Sequence, residues 1–489
     1  MTEWWHEERL FIDGQLVAAT GGRTYPNVNP ATAEVLGVAA DASVADVDRA
    51  IAAARRAFDT TTWSPDVALR QRCLRQLHAA MEAEFAALAE TTIAEVGCPR
   101  MFTEGPQLRG PMEYLTWYAD LLDDFEWTTD LGVATTIAGT AHRWIEREPA
   151  GVVAAITPWN YPNQINLAKC IPALAAGCTV VLKPAPDTPW TALALGRLVH
   201  DHTEFPPGVF NVVTSADKSI GEVLTTSPDV DMVSFTGSTA TGRRIAEAAA
   251  ATVKRVFLEL GGKSAHIVLD DVEDMGAAVA SPCFMVCTHA GQGCATSSRL
   301  VLPRARYDEG VDAAAALIAA LPFGDPQDPG VMTGAIVNAA QLERIAGLVD
   351  RAVADGARIV VGGAVATQFE RGWYYTPTLL ADVTNDMEIA REEVFGPVLV
   401  AIAHDGDDDA VRIANDSIYG LSGAVMSADR ARALAVARRI RTGTMSINGG
   451  SWYGVDVPFG GYKQSGVGRE SGVAGLEEYL EMKAMAEPA

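Results

Sequence analysis

The sequence predicts an α/β protein built on a doubly wound parallel sheet of the dinucleotide-binding kind. Two observations predict it. From residue 148 onward, short apolar runs alternate with segments of helical period, which is the pattern of βαβ units. The helical segments are also punctuated as helices are, with Thr188-Pro189 as cap and first position and Gly177 as a stop.

In chain order, Arg9 to Val17 alternates around Asp13-Gly14 and reads as a β-hairpin. Residues 44–58 and 66–95 carry apolar side chains at helical spacing. Residues 128–148 differ: they are Thr-rich, β-prone and lack helical period, which suits a projecting strand pair or a subunit contact. A strand over 151–156, the loop TPWNYP, a helix over 166–176 and a strand over 178–182 follow. Strands over 208–213, 231–235 and 254–260, with helices near 217–225 and 238–250, complete the first series. A second α/β series has strands over 265–269, 299–302, 358–361, 398–402 and 444–447, with helices at 339–354 and 430–440 among those between them.

At 489 residues the chain has room for about two to four domains of ~100–200 residues. A formal net charge of −24 leaves no basic stripe for nucleic acid and disfavours an anionic membrane surface. The seven cysteines are odd in number and mostly lie in apolar segments, so no disulfide framework is expected. Cys283, Cys287 and His289 lack a second ligand pair, so they read as core and no metal is expected. The acidic start MTEWWHEERL has no signal pattern, and no apolar run approaches the ~18 residues of a membrane helix. A reducing cytoplasm fits these features.

Ligands of open parallel sheets bind beyond the carboxyl ends of the strands. Asn160, Lys183, Gly237-Ser238 and Glu259 fall there by pattern. FTGS ends a strand and opens a helix whose first N–H groups can hold a pyrophosphate; an ordinary capped turn reads equally well. Lys183 can reach ribose hydroxyls or simply be solvated. In HAGQGCATSSR, Cys294 sits among small residues that leave it reachable, as a nucleophilic thiol requires; a structural cysteine is the alternative. Glu259 lies between two leucines in LELGGKS, where desolvation raises a carboxyl towards neutrality and makes it a usable base. An ion-paired structural carboxylate remains open.

Together these stretches resemble the aldehyde dehydrogenase superfamily along nearly the whole chain: FIDG, NPATAEV, PWNYP, KPAPDTP, FTGSTATG, LELGGKS, GQGC, EEVFGP and PFGGYKQSGVGRE, in that order. The resemblance implies that Cys294 attacks an aldehyde carbon and that Asn160 and the Cys294 N–H hold the oxyanion. After hydride transfer to the cofactor, Glu259 activates the water that hydrolyses the thioester. A hydrolytic base also argues against a CoA-acylating member. Lys169 and Glu470 match positions that relay protons. Cofactor contacts fall to Ile156, Pro158, Trp159, Lys183, Gly221, Gly237, Ser238, Leu260, Glu393 and Phe395. The substrate pocket falls to Tyr161, Gln164, Trp452, Tyr453 and Phe459.

The resemblance further implies a Rossmann-like cofactor domain over 1–127 and 150–260, and an α/β catalytic domain over 261–474. A small β bridging domain over 128–149 and 475–489 would pair subunits as a homodimer or homotetramer. Three departures stand out. Pro186, with Asp187 beside it, replaces a glutamate common in NAD-specific relatives, so a 2′-phosphate is not directly repelled; NAD is expected, and NADP stays open. Ala168 stands where an aromatic is common, which predicts a tunnel roomier than three stacked aromatics, for medium-sized or aryl aldehydes. His289 replaces a common Asn, and the sequence offers no functional account of it.

Overall fold

The computed structural model describes residues 6–489. The first five residues of the acidic start lie outside the described residues. The first sheet has eight strands in the spatial order Gly466–Val467, Arg255–Glu259, Met232–Thr236, Val152–Ile156, Thr179–Lys183, Phe210–Val212, Leu10–Ile12 and Gln15–Val17. Its strands from Arg255–Glu259 to Phe210–Val212 are mutually parallel. The predicted hairpin pairs Leu10 with Val17 and caps one edge. The other edge was not foreseen: Gly466-Val467, from far along the chain, pairs antiparallel with Leu258 and Glu259.

Helices cover both faces for the reasons the sequence gives. Val44–Thr60 starts with a capping box between Ser43 and Asp46, which satisfies two end N–H groups. The 66–95 stretch forms two helices, Val67–Ala83 and Phe85–Val96, because Glu84 leaves helical geometry (φ −102°, ψ 12°). The helix expected from Asn166 begins earlier, at Pro162, and ends on left-handed Gly177. Proline is favoured at a first helical position, so the end of the TPWNYP loop is already helix. Trp63, Trp190, Leu167 and Val180 belong to the large core packed under this sheet.

The second sheet has seven strands: Arg358–Val361, Thr378–Ala381, Val398–His404, Arg299–Pro303, Ala265–Val268, Gly423–Met426 and Ser446–Ile447. All but the Arg358–Val361 edge pair in parallel. Thr378–Ala381 and Gly423–Met426 are additions to the strands the sequence showed. Residues 128–148 do form a strand pair, Thr128–Thr136 with Gly139–Pro149, and Leu480–Pro488 joins as a third strand. Among the described residues no helix is long and apolar enough to cross a membrane.

Leu260–Ser264 carries the chain directly from the last residue of one parallel strand, Glu259, to the first of another, Ala265. The carboxyl ends of the first sheet therefore face the amino ends of the second across five residues.

Candidate active site

Glu259 and Cys294 meet at that junction. Glu259 ends its strand 2% exposed. Cys294 is half-buried, whereas the other six cysteines are buried, and all seven are free thiols. The turn before it runs through three consecutive left-handed residues, His289 (φ 47°), Ala290 (φ 53°) and Gly291 (φ 67°). A side chain at Gly291 would put its Cβ 2.2 Å from the Gly396 carbonyl oxygen. At Gly262 a Cβ would lie 2.3 Å from the carbonyl oxygen of Cys294 itself, so glycine is what lets the LGGKS bridge press against the cysteine.

Burial pushes the Cys294 thiol well above its ordinary range, and the carboxyls of Glu259 and Glu393 push it further. Burial also raises Glu259 well above the usual carboxylate range; Glu470 adds to this, and Lys169 opposes it. Each group lies close enough to feel the other's charge, and the site favours the neutral form of each. Glu259 Oε1 has no hydrogen-bond partner among the described residues.

Asn160 is 2% exposed, and its Nδ2 donates to the carbonyl of Gln292, 2.8 Å away. Gln292 is fixed in turn: its Nε2 donates to the carbonyls of His289 and Ala335, and its Oε1 accepts from Val337 N–H. The Asn160 amide is thereby aimed at the residue two before Cys294. Gln107 donates to the Asn160 carbonyl at 2.9 Å, and neither glutamine was singled out in the sequence. His289 is fully buried, packs edge-on to Tyr161 at 5.4 Å, and is pushed by burial down to about 4, so its ring is neutral.

Lys169 and Glu470 come together, with Nζ 3.2 Å from Oε1. Lys169 is fully buried and lies 4.5 Å over the Phe257 ring. Its Nζ also reaches Ser234 Oγ at 3.5 Å, which is 2.9 Å from the Tyr479 hydroxyl. Nothing local to Ser234 or Tyr479 marks them for this network, since strand registry and the C-terminal approach bring them there.

A cleft of ≈ 1000 Å³ opens beyond the carboxyl ends of the first sheet, lined by Ile156, Trp159, Lys183, Gly221 and Gly237 among others. Lys218, Arg244, Asn338 and Arg344 also line it and were not foreseen. Lys183 is 4% exposed, and its Nζ donates to the Pro184 carbonyl at 3.2 Å. Burial, then Lys218, lowers it to about 8. Asp187, beside Pro186, is tied by Asn338 at 2.8 Å.

The remaining cofactor candidates sit around this cleft rather than on its wall. Ser238 spends its hydroxyl capping the Thr239–Ala249 helix, accepting from Thr241 N–H. Leu260 packs in the core against Gly242, and Pro158 precedes Trp159 in the loop. Phe395 meets Trp159 edge-on at 5.3 Å. Glu393 Oε1 accepts from Gly262 N–H at 2.9 Å, and burial raises its carboxyl to about 7.

On the substrate side, Trp452 stacks on Phe459 at 5.6 Å. The Tyr453 hydroxyl donates to Gln164 at 2.8 Å, Gln164 donates to Tyr114 at 3.1 Å, and Tyr114 meets Ser471 at 2.6 Å. Tyr161 flanks Gly293, next to the cysteine.

Comparison with known proteins places the whole chain. Residues 16–485 match the aldehyde dehydrogenase family. The chain is 41% identical over 479 residues to a 3-succinoylsemialdehyde-pyridine dehydrogenase of a Pseudomonas species, covering 97% of this chain and 98% of that one. It is 39% identical over 482 residues to a geranial dehydrogenase of Castellaniella defragrans, covering 98% of each. An aldehyde dehydrogenase of Mycobacterium tuberculosis complexed with NAD+ superposes with a TM-score of 0.94 at 40% identity, covering 99% of this chain and 98% of that one. A Pseudomonas syringae aldehyde dehydrogenase C mutant complexed with NAD+ and octanal gives 0.92 at 41% identity, over the same shares. The chain belongs to the aldehyde dehydrogenase family, and it oxidises an aldehyde to a carboxylic acid.

Proposed function

We propose that Cys294 is the nucleophile, Glu259 the base and Asn160 the oxyanion donor of this oxidation. The observation that supports it most is the convergence of three groups at one junction. These are Cys294, whose carbonyl the Gly262 bridge presses against, the buried Glu259 carboxyl, whose Oε1 has no partner among the described residues, and the Asn160 amide pinned to Gln292. Cys294 Sγ adds to the aldehyde carbon, and its proton passes to the ionised form of Glu259. The oxyanion takes hydrogen bonds from Asn160 Nδ2 and the Cys294 N–H, donors worth about 10²–10³ in rate. When bound, NAD+ supplies the hydride acceptor. The acyl group is then a thioester on Cys294. Glu259 takes a proton from water, the hydroxyl displaces Sγ, and the acid leaves with the thiol restored. Lys169 and Glu470 pass the base's proton outward.

The cleft residues fit the cofactor. Lys183 has three N–H donors and one carbonyl partner, which leaves two for ribose hydroxyls, with Glu393 as the opposing ribose ligand. Gly221, Gly237 and Ser238 approach the adenosine and pyrophosphate; Ile156, Pro158, Trp159, Leu260 and Phe395 shape the nicotinamide end. The cofactor in this reading is NAD+; Pro186 offers no carboxylate to repel a 2′-phosphate, so NADP+ is not barred there.

The substrate we infer is a medium-sized or aryl aldehyde, held by Tyr161, Gln164, Trp452, Tyr453 and Phe459. An aldehyde panel followed by absorbance of the reduced cofactor tests this; turnover confined to acetaldehyde-sized compounds refutes it. The domain boundaries 1–127 with 150–260, 261–474, and 128–149 with 475–489 are part of the same reading. The outlying three-stranded sheet, with Val133 and Met482 exposed, would pair subunits into a dimer or tetramer; a monomer mass by light scattering would refute that. Seven free cysteines fit a reducing cytoplasm.

A further inference from the structure

The oxidation gives no part to His289, yet its ring is wholly buried within the turn that leads to Cys294. Neither Nδ1 nor Nε2 has a hydrogen-bond partner among the described residues. Buried polar groups in folded proteins are normally paired. The backbone of His289 is also left-handed, at φ 47°, a conformation that persists in a side-chain-bearing residue only where its surroundings hold it. A residue both strained and polar in a dry turn calls for an account of what it grips.

What surrounds it is the Asn160 segment, on two sides. On the backbone side, the His289 carbonyl accepts from the Gln292 N–H and from Gln292 Nε2, both at 3.2 Å. The Gln292 carbonyl in turn accepts from Asn160 Nδ2. On the ring side, Tyr161, the residue after Asn160, packs edge-on against the imidazole. The Asn160 backbone also bears on the ring, opposing the effect of burial on its basicity. The Asn160 carbonyl already accepts from Gln107 Nε2 at 2.9 Å. A carbonyl oxygen has two lone pairs, and a neutral imidazole has one N–H to give. Ring and carbonyl are therefore complementary neighbours.

We propose that His289 is a positioning residue for the oxyanion donor: its ring N–H takes the second lone pair of the Asn160 carbonyl, while its own carbonyl holds Gln292 against the Asn160 amide. This rests on the reading of Asn160 as the donor. Peptide and side chain of Asn160 are then anchored to one turn, five residues before the nucleophile. The two oxyanion donors, Asn160 Nδ2 and the Cys294 N–H, move as a unit. Such donors act only when fixed in advance, and a misplacement of about 1 Å can cost about 10²-fold in rate.

Two substitutions separate the ring from the fold. His289→Gly deletes the ring without backbone strain, since glycine takes positive φ freely. His289→Asn keeps an N–H donor on a residue that tolerates the left-handed region. His289→Gly should lower kcat by up to about 10²-fold with KM for aldehyde and cofactor unchanged, and His289→Asn should recover most of that loss. In an Asn160→Ala background His289→Gly should cost nothing further in kcat, because the group it positions is gone. The same fold-loss in both backgrounds overturns the proposal, since the ring would then serve only the fold. An Asn160→Ala enzyme with wild-type kcat overturns the donor assignment itself, and this inference with it. A crystal structure of the full chain needs no variant to fold: a His289 ring nitrogen should lie within hydrogen-bond distance of the Asn160 carbonyl oxygen, and a ring with neither nitrogen so placed overturns the proposal.

Discussion

The two parallel sheets approach the catalytic centre from opposite ends. The first presents its carboxyl ends: Ile156, Lys183, Thr236 and Glu259 are the last residues of their strands. The second presents its amino ends: Ser264, Ser298 and Pro397 immediately precede its strands, and Cys294 and Glu393 lie just before those. The rule that ligands lie beyond carboxyl ends thus holds for one sheet and fails for its neighbour. At its own carboxyl ends the second sheet opens on a cleft of ≈ 980 Å³ lined by Asp382, Asp405, Asp409 and Asp416. Each of these carboxylates is paired with an arginine, Arg358, Arg304, Arg412 and Arg391 in turn, so among the described residues the cleft offers no free cation of the kind Lys183 presents in the first. Strand direction alone does not choose the site; the short bridge that joins the sheets end to end does.

If both ends are needed, damage at either should be felt in different currents of the reaction. The largest effect belongs to the second sheet's end: Cys294→Ala should lose activity on the order of 10⁶-fold, as removal of a nucleophile does. Calorimetry should still find NAD+ bound. On the first sheet's end, Glu259→Gln should lower turnover by about 10²–10⁴, slowing both the acylation of Cys294 and the hydrolysis of its thioester in single-turnover measurements. The ionised carboxyl is the working form, and its protonation is favoured well above the usual carboxylate range. In the wild type kcat should therefore climb with pH through a midpoint above that range, and the rising limb should flatten in Glu259→Gln.

Asn160→Ala should reduce kcat by about 10²–10³ with little change in KM; an equal rise in KM would assign Asn160 to substrate binding. The smallest effect falls on the cleft. Lys183→Met removes charge-assisted hydrogen bonds of about 1.5–3 kcal/mol, so KM for NAD+ should rise roughly ten- to a hundredfold while the acyl-transfer steps persist. Should Lys183→Met instead abolish acylation of Cys294 at saturating cofactor, the division of labour between the sheets is mistaken.

Much of this was legible in the residues. Thr188-Pro189, Gly177 and the apolar runs fixed the first sheet's strands and helices to within a few residues, because caps and strand ends are local chemistry. The motifs around Cys294 and Glu259 are local too. What escaped depends on partners distant in sequence. Leu480–Pro488 reads LEMKAMAEP, rich in helix formers; only the family resemblance placed 475–489 in a β domain with 128–149, and it is a strand because Gly139–Pro149 offers it a ladder over its whole length. Gly423–Met426 is short and begins with Gly and Ala, too weak a signal without its neighbours. The Gln292 brace, Ser234 and Tyr479 are placed by the same long-range assembly, and no spacing rule announces them.

The Gly466-Val467 strand has a mechanical consequence. Leu260 N–H also donates to the Ser465 carbonyl at 2.9 Å, so a segment from the far half of the chain is stitched along the strand that bears Glu259. Any motion that parts the two halves must first unzip this seam, and doing so releases the backbone of Glu259 itself. Opening that seam and keeping the Glu259 carboxyl in register are therefore opposed demands on the same backbone.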